Sequence, residues 1–206
     1  MVDLFNYTRR ASSVAHIGAI DLGGDNPIRI QSMTTTNTND TEACVRQAEE
    51  IIKAGGELVR FTTQGSREAE NMKNINAGIR ADGYQTPLVA DVHFNPNVAD
   101  VAALYCEKVR VNPGNYVDPA RKFIKQEYTD EEYAHELQKI EDRFVPFLNI
   151  CKENHTAIRI GVNHGSLSDR IRNRYGDTPE GIVESCLEFL RICKKENFHD
   201  VVISIK

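Results

Sequence analysis

Six short apolar runs, each ending in polar or charged residues, constrain this chain more than any other feature. They are Ile28-Arg29-Ile30-Gln31-Ser32, Leu58-Val59-Arg60-Phe61-Thr62, Leu88-Val89-Ala90-Asp91-Val92-His93, Lys108-Val109-Arg110-Val111-Asn112, Ile158-Arg159-Ile160-Gly161-Val162-Asn163 and Val201-Val202-Ile203-Ser204-Ile205-Lys206. Within each run the polar groups tend to fall two residues apart, and the two-residue period of a strand aims them at one side. Six such strands laid parallel direct Arg, Asp, His, Asn and Lys to one place. In a parallel β/α barrel of the TIM type, that place is the C-terminal mouth, where active sites are built.

Helical patterns separate the runs. Asn39, with Glu42 three residues on, is the expected cap of a helix carrying Ala43, Ala48, Ile51 and Ile52 and ending at Gly55-Gly56. Thr178 and Pro179 announce another, with Ile182, Cys186, Leu190 and Cys193 as its apolar stripe. Between the fourth and fifth runs, Thr129 and Glu132 form a capping-box pattern. Tyr133, Leu137, Ile140, Phe144, Phe147, Leu148 and Cys151 follow at spacings of three and four, predicting one long amphipathic helix. The stretch from Asp118 to Tyr128, with Arg121, Lys122, Lys125 and Glu127, reads as a short extra element with a solvated face. Gly23-Gly24-Asp25-Asn26 reads as a turn into the first strand. Strands alternating with helices predict an α/β fold with right-handed crossovers. A closed barrel needs eight strands and typically ~250 residues. The expectation is therefore an incomplete barrel, six strands of eight, with residues 1–206 as the N-terminal portion of a longer substrate-binding barrel.

A formal net charge of -5 argues against a nucleic-acid binder working through a general phosphate field. No tract resembles a ~20-residue membrane span or a signal-peptide core, so a cytoplasmic location is expected. The five cysteines, Cys44, Cys106, Cys151, Cys186 and Cys193, form no C-x-x-C pair and read as small buried hydrophobes rather than as ligands or disulfide partners.

Arg60, Arg110 and Arg159 each sit centrally in an apolar run. A buried guanidinium needs an anionic partner, and its planar fork suits a phosphate or carboxylate. A salt bridge to a neighbouring acid is the simple explanation for any one of them. Three at equivalent strand positions favour a shared anionic ligand, with Lys206 adding a fourth positive charge. Asn112-Pro113-Gly114-Asn115 and Asn163-His164-Gly165-Ser166 follow two of the strands, where glycine lets backbone N–H groups approach phosphate oxygens. Asn112, Asn163 and Ser166 are thus candidate ligand contacts. Asp91 and His93 share one strand face and could be an acid–base pair, part of a metal site with His164, or a structural pair in which Asp91 merely orients His93. No second His-rich strand end accompanies them, so no metal site is expected.

Several strings are long enough to carry a family resemblance. Pro27-Ile28-Arg29-Ile30-Gln31-Ser32-Met33-Thr34, Val89-Ala90-Asp91-Val92-His93-Phe94, Val109-Arg110-Val111-Asn112-Pro113-Gly114-Asn115 and Ile158 through Leu167 resemble the N-terminal barrel of the 4-hydroxy-3-methylbut-2-enyl diphosphate synthase (GcpE) family. Val202 to Lys206 also fits. The crossover from Tyr116 to His155 and the string Ser168-Asp169-Arg170-Ile171 resemble the longer, three-domain form. The resemblance implies an oxidoreductase of the non-mevalonate (MEP) isoprenoid pathway that reductively opens 2-C-methyl-D-erythritol 2,4-cyclodiphosphate. It further implies a [4Fe-4S] cluster held by three cysteines and a glutamate in a separate C-terminal domain, ferredoxin or flavodoxin as electron donor, and a homodimer of the whole protein. Arg60, Arg110, Arg159 and Lys206 would neutralise the cyclic diphosphate, Asn112 and Asn163 would donate hydrogen bonds, and Asp91 with His93 would complete the mouth as catalytic residues. The scattered cysteines depart from the family's cluster-binding pattern, so the cluster is expected outside residues 1–206 and this chain alone is expected to be inactive. Another phosphate-binding barrel enzyme, such as a pterin-binding one, and a non-catalytic ligand-binding fragment remain as alternatives.

Overall fold

The computed structural model describes residues 10–118 and 127–206. Most of the segment expected to form an extra element before the long helix, including Arg121, Lys122 and Lys125, lies outside these residues. Six parallel strands form one curled sheet in sequence order: β3 (Gln31–Met33), β4 (Leu58–Thr63), β5 (Leu88–Val92), β6 (Lys108–Val111), β7 (Ala157–Val162) and β8 (Val201–Ile205). Helices α1 (Thr41–Lys53), α2 (Ser66–Ala81), α3 (Pro96–Ala103), α4 (Asp130–Asn154), α5 (Asp169–Tyr175) and α6 (Pro179–Lys195) fill the crossovers. The first and last strands do not pair with each other, so the sheet is an open part-barrel.

Residue alternation decides what each face buries. Val59 and Phe61, Ala90 and Val92, Val109 and Val111, and Ile158 and Ile160 face outward into the main core with Met72, Ile75, Phe144, Phe147 and Phe189 of the helices. Burying each large side chain contributes about 1.5–3 kcal/mol. The opposite face carries a smaller apolar cluster, Leu58, Val89 and Ala157, capped by Ile17. Ile17 belongs to an antiparallel hairpin, β1 (Val14–Ile17) and β2 (Ile20–Gly23), that plugs the base of the interior. The six runs did not include this hairpin.

Local signals place most boundaries. Thr129 and Glu132 form the reciprocal capping box of α4, and Thr178 caps α6 with Pro179 in its first turn. The cap of α1 is Asp40 rather than Asn39: Asp40 accepts from the Ala43 N–H at 3.0 Å, whereas the Asn39 side chain turns back to Asn37. The first strand is also shorter than its apolar run. Glu57 accepts hydrogen bonds from Arg29 and from the Ile30 N–H, holding residues 29–30 outside regular pairing, and Ile28 and Ile30 stay 88% and 60% exposed. Outward-facing Ile203 and Ile205 on β8 are exposed as well.

Candidate anion-binding mouth

The inward-facing positions near the C-terminal ends of β4 to β7 hold one carboxylate and three guanidiniums. Asp91, Arg110 and Arg159 are successive partners across β5, β6 and β7, and Arg60 reaches Asp91 from β4. The Asp91 carboxylate is 3% exposed; it pairs with Arg60 through Oδ2 and accepts from Arg110 at 3.2 Å through Oδ1, and His93 Nε2 lies 3.2 Å from Oδ2. The salt-bridge explanation therefore holds for Arg60 and Arg110, but one carboxylate serves two guanidiniums. Arg159 has no acidic partner among the described residues; its Nη2 donates to Ser204 Oγ at 2.7 Å. The Nε atoms of Arg60 and Arg159 are buried without a hydrogen-bond acceptor. Surplus positive charge and unfilled buried donors are features that an anionic ligand would satisfy.

Burial works against the charge of Asp91, but the hydrogen bond to His93 and the charges of Arg60 and Arg110 outweigh it and hold the acid at about 2. Asp91 is thus ionised and acceptor-only at neutral pH. Because its folded-state value lies below the ordinary one, its contribution is present above about pH 4 and is lost as the pH falls toward 2; it is worth about 2 kcal/mol. Thermal midpoints followed from pH 5 to pH 2.5 should fall less steeply in an Asp91→Asn variant than in the parent, and parallel curves would refute this. Burial depresses both Arg110 and Arg159: at Arg110 the charge of Asp91 opposes this and Arg60 adds to it, and at Arg159 Arg60 and Arg110 add to it while Asp91 opposes it last.

Two loops frame the mouth. Asn112 is buried and donates to Ser166 Oγ at 2.8 Å, while its own Oδ1 accepts from Gly114 N–H at 3.2 Å. Ser166 Oγ donates onward to the Asn163 carbonyl, and Asn163 Oδ1 accepts from Gly165 N–H. In this arrangement Asn112, Asn163 and Ser166 stitch the β6 and β7 loops together. Gly114 permits the stitch, since a Cβ there would stand 1.8 Å from the Ser166 carbonyl oxygen. Lys206 lies exposed at the rim, its backbone bonded to Val162 and His164. His164 turns away to Asp177 and takes no part in the cluster around Asp91.

Two interior residues were not singled out from the sequence. Gly161 makes room for Arg110: a Cβ there would lie 2.4 Å from Arg110 Nε, and Arg110 Nη2 donates to the Gly161 carbonyl at 2.8 Å. Lys108, one inward-facing step below Arg110, is 2% exposed and donates to Gln31 Oε1 at 3.2 Å. A glycine within an apolar strand, and a lysine sharing the parity of Arg110, were the available signals.

The cysteines do not fit an iron–sulfur cluster. They are buried and spread over α1, α4, α6 and the turn before β6, and burial pushes Cys186 up to about 11 and Cys193 up to about 12. Among the described residues no three His, Cys, Asp or Glu side chains come together as a metal site, and no helix is long and apolar enough to cross a membrane.

Comparison with known proteins agrees with this architecture. The chain is 77% identical over 205 residues to 4-hydroxy-3-methylbut-2-en-1-yl diphosphate synthase (flavodoxin) of Phocaeicola vulgatus, covering 100% of this chain and 33% of that protein. It is 52% identical over 206 residues to the enzyme of the same name from Porphyromonas gingivalis, covering 35% of it. The chain thus spans about a third of the length of these curated relatives. A truncated 3-deoxy-D-arabino-heptulosonate 7-phosphate synthase from Thermotoga maritima shares the fold alone, with a TM-score of 0.57 at 9% identity over 94% of this chain and 56% of that one. Residues 12–206 match the GcpE TIM-barrel domain, and the chain belongs to that family.

Proposed function

We propose that this chain is the substrate-binding part-barrel of a reductive synthase that converts 2-C-methyl-D-erythritol 2,4-cyclodiphosphate to 4-hydroxy-3-methylbut-2-enyl diphosphate. The observation that carries this is the surplus of guanidinium over carboxylate at the mouth, with two buried Nε donors unfilled. A cyclic diphosphate presents two anionic phosphates to such a cluster. Arg60, Arg110 and Arg159 would take its oxygens in charge-assisted hydrogen bonds, with Lys206 closing from the rim. Asn163, half-buried at the loop stitch, would contact it at the edge, while Asn112 and Ser166 hold the loop in place.

Asp91, ionised, would act as the countercharge that fixes Arg60, Arg110 and His93 in place. His93 is about one-third exposed and lies against Asp91, which supports it as the residue that would pass a proton to the ligand. The ring opening needs two electrons. The family's [4Fe-4S] cluster would supply them from parts of the protein outside this chain, with flavodoxin, which the relatives' names carry, as the donor. The chain by itself should then bind without turning over, and product formed from it with a reductant would overturn that division of labour.

Calorimetric titration with the cyclic diphosphate tests the reading. Removing one charge-assisted hydrogen bond to the phosphates should cost about 1.5–3 kcal/mol. An Arg110→Ala, Arg159→Ala variant should therefore bind at least about a hundredfold more weakly. Absence of binding by the folded parent, or equal binding by the variant, would reject the reading; tighter binding of a pterin diphosphate would favour a pterin-binding barrel.

A further inference from the structure

We propose that, above neutral pH, Lys108 takes up a proton when an anion occupies the guanidinium cluster above it, so that the liganded interior gains its deepest positive charge. This rests on the anion-binding reading of the mouth. Lys108 points into the interior from β6, almost completely excluded from water. It is faced by Gln31 from β3, Arg60 from β4, Val89 and Asp91 from β5, and Ala157 and Arg159 from β7. Asp91 is already engaged by Arg60, Arg110 and His93. Among the described residues Lys108 has one hydrogen-bond acceptor, Gln31 Oε1, and no carboxylate.

An ammonium carries three donors and a full charge, and this position provides one neutral acceptor. A neutral amine needs no countercharge and still donates to Gln31. Burial first, then the charges of Arg159 and Arg60, lower the lysine to about 7. A doubly charged anion above the same arginines offsets their surplus charge in a region of weak screening and draws the proton back. The ligand's own charge is constant, because each phosphorus of a cyclic diphosphate carries one strongly acidic oxygen.

Linkage fixes the sign. Between neutrality and the raised value of the liganded state, affinity for the anion falls as pH rises, by up to about tenfold per pH unit. At about pH 8 roughly nine in ten amines are neutral before binding, so uptake should approach one proton per anion.

The test is calorimetric titration of the 206-residue chain with 2-C-methyl-D-erythritol 2,4-cyclodiphosphate at about pH 8, in buffers of different ionisation enthalpy, for the parent and a Lys108→Met variant. Buffer-dependent heat corresponding to nearly one proton in the parent, absent from a variant that still binds, is the expected result. Lysine Cε resonances of the unaltered chain provide a second readout if Lys108→Met fails to fold. One lysine should titrate near neutrality and shift upward by at least a unit with ligand. Binding without proton uptake, or uptake unchanged in Lys108→Met, overturns the role of Lys108 and leaves the arginine reading standing. No binding by the folded parent at any pH rejects both.

Discussion

Replacing Arg170 by alanine is expected to destabilise the chain by about 3–5 kcal/mol, lowering its thermal midpoint by about 6–20 °C. The Arg170 side chain, 3% exposed, forms two 2.8 Å hydrogen bonds to Glu188 and two to Asp118, of 3.0 and 3.3 Å, and its guanidinium lies 4.9 Å from the centre of the Tyr133 ring. Tyr133 Oη also donates to Glu188, at 2.6 Å. Burial opposes the charge on Arg170, but the two carboxylates raise it overall. Removing the cation strands both carboxylates, and that unpaired burial is the main cost. Arg174, which pairs with exposed Asp130, should change stability little when replaced by alanine. An Arg170→Met, Glu188→Leu variant should recover part of the loss, since fewer buried charges remain unpaired. Equal melting of Arg170→Ala and Arg174→Ala would refute the account. The network joins α4, α5 and α6 just beyond the loop carrying Asn163 and Ser166, so its loss should also weaken anion binding.

Gly161→Ala should remove most anion binding with a much smaller effect on folding. An added methyl would stand 2.4 Å from Arg110 Nε, closer than any ordinary contact, so Arg110 must swing away and lose its bonds to Gly161 and Asp91. Losing the productive pose of one guanidinium costs about 1.5–3 kcal/mol of binding, or roughly tenfold to a hundredfold in affinity. The backbone at Gly161 is regular strand, so alanine is accommodated once the arginine moves. Titration of the variant with the cyclic diphosphate, alongside its thermal melt, checks both halves. Undiminished affinity would mean that Arg110 does not need its present position.

Much of this was legible locally. Alternation in the six runs placed Arg60, Asp91, Arg110 and Arg159 on one face, because strand parity depends only on neighbouring residues. Thr129 and Thr178 identified their helices because a cap is a contact within one turn. Asn39 and Asp40 were harder to separate: both residue types cap well, and only the backbone turn decides which side chain meets the free N–H. The first strand ended up shorter than its apolar run because distant Glu57 engages Arg29 and Ile30. The hairpin at the base was not among the six runs, because His16 and Asp21 interrupt its short apolar stretches.

The sequence by itself determined the parallel alternation of strands and helices and the ring of charged residues at one end. Only the tertiary structure decided how those charges divide. It assigned one carboxylate to two guanidiniums, left Arg159 with a serine, placed Lys108 beside Gln31 and opened space for Arg110 at Gly161. These partners lie far apart along the chain, 77 residues for Lys108 and Gln31 and 51 for Arg110 and Gly161. Propensity and parity act within a few residues, whereas ionisation, pairing and space depend on what the curled sheet brings together.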